Sequence, residues 1–108
     1  MTEAPAPAMV WCPFPDVVAA RGAAATLLDE GLVACVNILP GMETHYAWNG
    51  AREQGAEAGA LFKTNVVLLE KVVARLAALH PYEEPAVLGW RCDAAAPETA
   101  VWLGGLVG

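Results

Sequence analysis

Asn49-Gly50 sits between two runs of alternating side-chain character, and this arrangement limits the fold more than any other part of the chain. Before it, Met42, Thr44, Tyr46 and Trp48 alternate with Glu43, His45, Ala47 and Asn49, the period-two pattern of a strand with one buried and one polar face. After it, Ala51–Gly55 begins a polar return segment, and Glu57–Thr64 continues it as a strand. Asn-Gly supplies the positive-φ residues that a tight hairpin turn requires, so the two runs are antiparallel neighbours. A hairpin alone is marginal in water, and the flanking sequence has to cover it.

The flanks carry that cover. Ala8–Cys12 reads as a short buried strand, stopped by Pro13 and Pro15. Asp16 caps a helix over Val17–Glu30, where Val17, Ala20, Ala24, Leu27 and Leu28 recur at helical spacing and Gly31 supplies the stop. Gly22 inside it costs about 1 kcal/mol against alanine and points to close packing beneath. Leu32–Leu39 is an apolar run broken only by Asn37, the pattern of a strand covered on both faces, and Pro40-Gly41 makes a turn. Beyond the hairpin, Asn65 caps a second helix over Val66–His80, with Leu69, Val72, Val73, Leu76 and Leu79 as its apolar stripe and Pro81 at its end. Val87–Cys92 reads as a strand and Ala100–Leu106 as a short terminal helix.

The resulting order is β-α-β-β-α-β with an extra C-terminal helix. Two split βαβ units of this kind build an α+β, ferredoxin-like sandwich, with two helices on one face of an antiparallel sheet. At 108 residues the chain is one domain, residues 8–108, after an N-terminal tail at residues 1–7 expected to be disordered.

Charge and small motifs then remove whole classes of function. Twelve Asp and Glu stand against six Lys and Arg. That acidic surface argues against nucleic acid or a membrane as partner and favours cations or a basic protein. The unbroken apolar runs, such as Leu32–Val36 and Val66–Leu69, fall far short of the roughly 20 residues of a spanning helix. The first residues carry an acid and two prolines where a signal peptide carries a basic and then an apolar region. Cys12, Cys35 and Cys92 fit no disulfide framework, so a cytoplasmic protein with free thiols is expected. The chain has no serine, no phosphate-binding glycine motif and no evident acid–base pair, which points to a binding protein, not an enzyme.

Longer segments add a family resemblance. Ala34-Cys35-Val36-Asn37-Ile38-Leu39-Pro40-Gly41, Tyr46-Ala47-Trp48-Asn49-Gly50, Lys63-Thr64 and His80-Pro81-Tyr82-Glu83-Glu84-Pro85 together resemble the CutA family of divalent-cation tolerance proteins. Phe14-Pro15-Asp16 and Val101-Trp102-Leu103 extend the match over nearly the whole chain. The resemblance implies a ferredoxin-like protomer in a tight, PII-like homotrimer, whose edge strands pair between subunits and so leave no exposed edge. Tyr46 and Trp48 on the hairpin would then belong to the trimer interface. It also implies copper or another divalent cation as a ligand, one not needed for folding.

Several residues could carry that chemistry. In the family, a cysteine at the first strand's end and a histidine near the Pro-Tyr motif have been considered as copper ligands, here Cys12 and His80. Thiolate and imidazole suit copper and zinc; the alternative is a buried cysteine and a histidine placed at a helix C-terminus. His45 is either a surface polar group or a metal contact supplied across subunits. Lys63, Tyr82, Glu83 and Glu84 either converge on a cleft that takes a small anion or metal complex, or Lys63 forms a structural ion pair with Glu83 or Glu84. Cys35 and Cys92 read as small core residues, and Trp48 and Trp102 as packing anchors. Three functions remain open at this point: a trimeric cation-binding protein, a PII-like small-ligand sensor signalling to an unidentified protein partner, and a scaffolding trimer without a ligand.

Overall fold

In the computed structural model, which describes residues 4–108, β1 (Pro7–Phe14) lies between β3 (Ala51–Asn65) and β4 (Leu88–Arg91), and β2 (Cys35–Trp48) joins the outer side of β3. All three pairings are antiparallel, giving the order β2-β3-β1-β4. α1 (Val17–Asp29) connects β1 to β2, α2 (Leu69–Leu79) connects β3 to β4, and α3 (Pro97–Gly104) follows. The α+β element order is the expected one.

Alternation along β1 divides the sheet into two unlike faces. Ala8, Val10, Cys12 and Phe14 are buried, and all but Ala8 join Ala20, Ala23 and Leu27 of α1, Val72 and Leu76 of α2, and Ala60 and Phe62 of β3 in one core. Both helices therefore cover the same face. The residues between them, Met9 and Trp11, pair with Lys63 and Leu61 on one side and with Trp90 and Leu88 on the other. That second face is open: Leu88 and Trp90 are 62% and 44% exposed.

Several boundaries differ from the sequence reading. β1 begins at Pro7 and continues through Pro13 to Phe14, where the reading stopped it at Cys12. The Pro7 carbonyl accepts from the Cys92 N–H (2.9 Å), so by alternation Pro13 faces the β4 side, and β4 ends opposite Trp11. The missing N–H of Pro13 thus costs no ladder bond. Of the expected tail, Met1–Glu3 lie outside the described residues, and the Ala6 carbonyl accepts from the Val66 N–H (2.9 Å).

Pro40-Gly41 is a bulge, not a turn: the register shifts between Leu39 and Met42, Gly41 takes φ +69°, and β2 continues to Trp48. β2 is a sheet edge with Leu39 41% exposed, so the expected cover on both faces is not present within one chain. Gly22 has nothing within 4 Å of where a Cβ would stand, which overturns the close packing expected there. α2 starts at Leu69, three residues late, because Val66–Leu68 form a separate turn whose Val67 and Leu68 N–H groups donate to Asn65 Oδ1 (3.1 and 3.2 Å). α3 starts earlier than expected, with Pro97 at its first turn, where a missing N–H is harmless.

The central turn is as read: Asn49 at φ 50° and Gly50 at φ 77° close the hairpin. Past the bulge the β2–β3 ribbon leaves the body as an arm, with exposed residues from His45 through Ala56, and the molecule measures 53 × 26 × 22 Å.

Candidate functional site

The chain returning from α2 meets the end of β1 at the base of the arm. Pro81 disfavours helical backbone at the residue before it, and His80 accordingly turns extended (φ −66°, ψ 139°). That turn drops the imidazole onto Phe14, with ring centroids 4.6 Å apart and planes 15° from parallel. His80 Nε2–H donates to the Pro13 carbonyl (2.7 Å), and Nδ1 accepts from the Tyr82 N–H (3.1 Å). Those partners require the neutral, Nε2-protonated tautomer. The Tyr82 ring leans on the imidazole at 4.7 Å and its hydroxyl donates to Glu57 Oε2 (2.9 Å). Burial, then that carboxylate bond, push the Tyr82 phenol up to about 12.

Cys12 is fully buried on the helix-covered face, and desolvation, with a smaller push from Glu57, raises its thiol to about 12. At neutral pH it is a thiol, and a metal bound there would have to displace that proton. Both nitrogens of His80 are engaged as well. Within the single chain the pair that the resemblance singled out stands as a buried thiol and a helix-end histidine with protein partners, and its use as a metal site would require loss of the Cys12 proton and of one His80 hydrogen bond.

The polar set of Lys63, Tyr82, Glu83 and Glu84 is also divided. Lys63 stands on the open face, in register with Met9 and Cys35. Tyr82 is tied to Glu57, six residues earlier on β3, about 20 Å away along an extended strand. Glu83 and Glu84 are exposed, and the ion pairs among the described residues are His45–Glu43 and Arg75–Glu30. Lys63 makes no pair with either glutamate within the chain. Glu57 is the residue that sequence reasoning missed. Its signal was positional, as the last acid before the apolar run Ala58–Phe62, but it acquires a role only because β1 ends opposite Ala58.

The arm carries the remaining candidates on its two faces. Tyr46 pairs with Glu53 across the ribbon, and its hydroxyl donates to Glu53 Oε2 (2.9 Å), which raises the phenol above its ordinary value. Tyr46 and Trp48 are 46% and 52% exposed. On the opposite face His45 Nε2 lies 3.0 Å from Glu43 Oε2, and Gln54 faces His45 across the ribbon. A shallow groove runs past His45, Tyr46, Ala47, Arg52, Glu53 and Gln54. Cys35 and Cys92 are half-buried, all three thiols are free, and Trp102 is 51% exposed within the single chain. No three His, Cys, Asp or Glu side chains converge on one point among the described residues.

Comparison with known proteins gives a consistent picture. The family model of the CutA1 divalent ion tolerance protein matches residues 8–105. The divalent-cation tolerance protein CutA of Pyrococcus horikoshii is 37% identical over 95 residues, covering 88% of this chain and 92% of the relative. The solved structure of the divalent cation tolerance protein Cut A1 from Thermus thermophilus superposes with a TM-score of 0.88 at 33% identity, covering 94% of this chain and 99% of that one. A structure described as the periplasmic divalent cation tolerance protein CutA from Archaeoglobus fulgidus gives 0.84 at 26% identity, covering 90% and 94%.

Proposed function

The chain belongs to the CutA1 divalent ion tolerance family, and from that premise we propose that it binds copper or another divalent cation as a homotrimer, contributing to metal tolerance. The observation that carries the reading is the family match over residues 8–105, which spans every strand and helix but the first residue of β1. Its relatives are named for tolerance of divalent cations and not for a reaction. The net charge of −6 supports a cationic ligand.

Trimer formation has support of its own. The open face presents Trp11, Leu61, Leu88 and Trp90, and the exposed edge of β2 ends in Tyr46 and Trp48. A long apolar edge beside an apolar face favours association, and pairing edges between subunits removes both liabilities. We place the protein in the cytoplasm, in keeping with three unpaired cysteines.

Native mass spectrometry of the metal-stripped protein, alone and with one equivalent of copper or zinc per chain, tests both parts. The expected result is a trimer that takes up ions in proportion to its chains. A monomer, or a trimer that stays bare, overturns the corresponding half.

A further inference from the structure

We propose that Glu43 and His45, on the outer face of the arm, form a two-point chelate for a late first-row divalent cation, of the copper, nickel or zinc class. This rests on the cation-binding reading above and gives it a place separate from Cys12 and His80.

The argument begins with strand geometry. Residues two apart on a strand point to the same face, so Glu43 and His45 are neighbours without any tertiary contact. Their Nε2 and Oε2 atoms stand 3.0 Å apart. Nitrogen and oxygen ligands lie about 2.0–2.2 Å from zinc, so two donors at right-angled to tetrahedral positions are separated by about 2.9–3.4 Å. The observed spacing already falls at one edge of such a coordination shell. A cation can take the place of the shared proton without movement of the backbone, and no thiolate is needed.

The surroundings agree with that use. The His45 and Glu43 side chains are 56% and 82% exposed, so an ion enters freely and keeps water at its remaining positions. Gln54 stands directly across from His45, within side-chain reach, and offers a neutral amide oxygen. Arg52, the nearby cation, is paired with Ala47, one step further towards the tip. One imidazole nitrogen with oxygen donors selects copper, nickel and zinc over magnesium and calcium. Tyr46 and Trp48 point to the other face of the ribbon, so covering them in the proposed trimer does not itself require covering this pair.

Copper(II) added to the isotopically labelled full-length protein tests the site, because the paramagnetic ion broadens amide signals near it. Below one equivalent, signals of residues 43–47 and 53–55 are expected to disappear first, and magnesium to leave them unchanged. In His45→Ala and in Glu43→Gln, calorimetric copper affinity is expected to fall at least tenfold, with the circular dichroism of the fold intact. Copper binding that persists undiminished in both variants, or broadening centred elsewhere, overturns this site while the cation reading stands. A wild-type protein that binds no copper overturns both.

Discussion

β3 crosses two environments, and the same kind of bond means different things in each. In its body half, Thr64 and Asn65 are fully buried, and their side chains donate to the carbonyls of Leu32 and Leu103, both at 2.8 Å. In its arm half, Glu53 accepts from Tyr46 at 2.9 Å, and on the ribbon's other face Glu43 meets His45 of the same strand, β2, at 3.0 Å, all in contact with solvent. The lengths are nearly equal. In the body, however, losing a partner strands a polar group away from water, whereas in the arm water takes its place. The body's polar contacts therefore hold the fold, and the arm's are free to be exchanged for a ligand.

The sharpest challenge to this contrast is Asn65→Ala. It removes two donors to the Leu103 and Leu106 carbonyls and the acceptor for two N–H groups, and should cost about 3 kcal/mol in urea unfolding, with early loss of amide protection in α3. A cost near zero would erase the distinction. Next is Gly59→Ala, at the join of body and arm. A methyl there runs into the Trp11 indole and the Met42 sulfur, so about 1–3 kcal/mol is expected, with a shift in tryptophan emission. Within the arm, Gly50→Ala puts a Cβ at φ +77° and should cost about 1 kcal/mol, loosening the register of residues 42–57 and leaving the core signals in place.

Protonation sharpens the comparison at its boundary. Cys12 should resist alkylation at pH 8 while Cys35 and Cys92 react, since its thiol is held up to about 12 by burial. Tyr82 is likewise held protonated, up to about 12 from its ordinary 10.0, so the folded chain favours the neutral phenol. That contribution is complete below pH 10.0 and is lost as pH rises through about 12. Ultraviolet difference titration of the wild type against Tyr82→Phe should show one late-ionising phenol. The smallest effect belongs to Glu43→Gln, for which no measurable change in Tm is expected despite the 3.0 Å contact it breaks.

Much of the fold was legible because it is written locally. The Asp16 cap, with its Oδ1 accepting from the Ala19 N–H at 2.8 Å, the stop at Gly31 with φ +69°, and the Asn49-Gly50 turn each depend on residues within a few positions. Pro13 and Pro40-Gly41 misled for the opposite reason. Whether a proline or glycine breaks a strand depends on which side its neighbours occupy, and those neighbours are supplied by β4 and β3. The Glu43–His45 pair was visible in the sequence as two polar residues on one face, and Tyr82 as part of a polar motif, but not the partner of either.

The sequence by itself determined the element order, the hairpin, the helix caps and the family, since period, turn chemistry and motif are carried by neighbouring residues. Only the tertiary structure gave the candidate residues their partners. His80 is engaged by Pro13, 67 positions away, and Tyr82 by Glu57, 25 positions away. Cys12 is enclosed by a core assembled from two helices and two strands. Such contacts follow from sheet register and from where β1 ends, and register is a property of packed strands: it arises only when distant apolar faces are buried together.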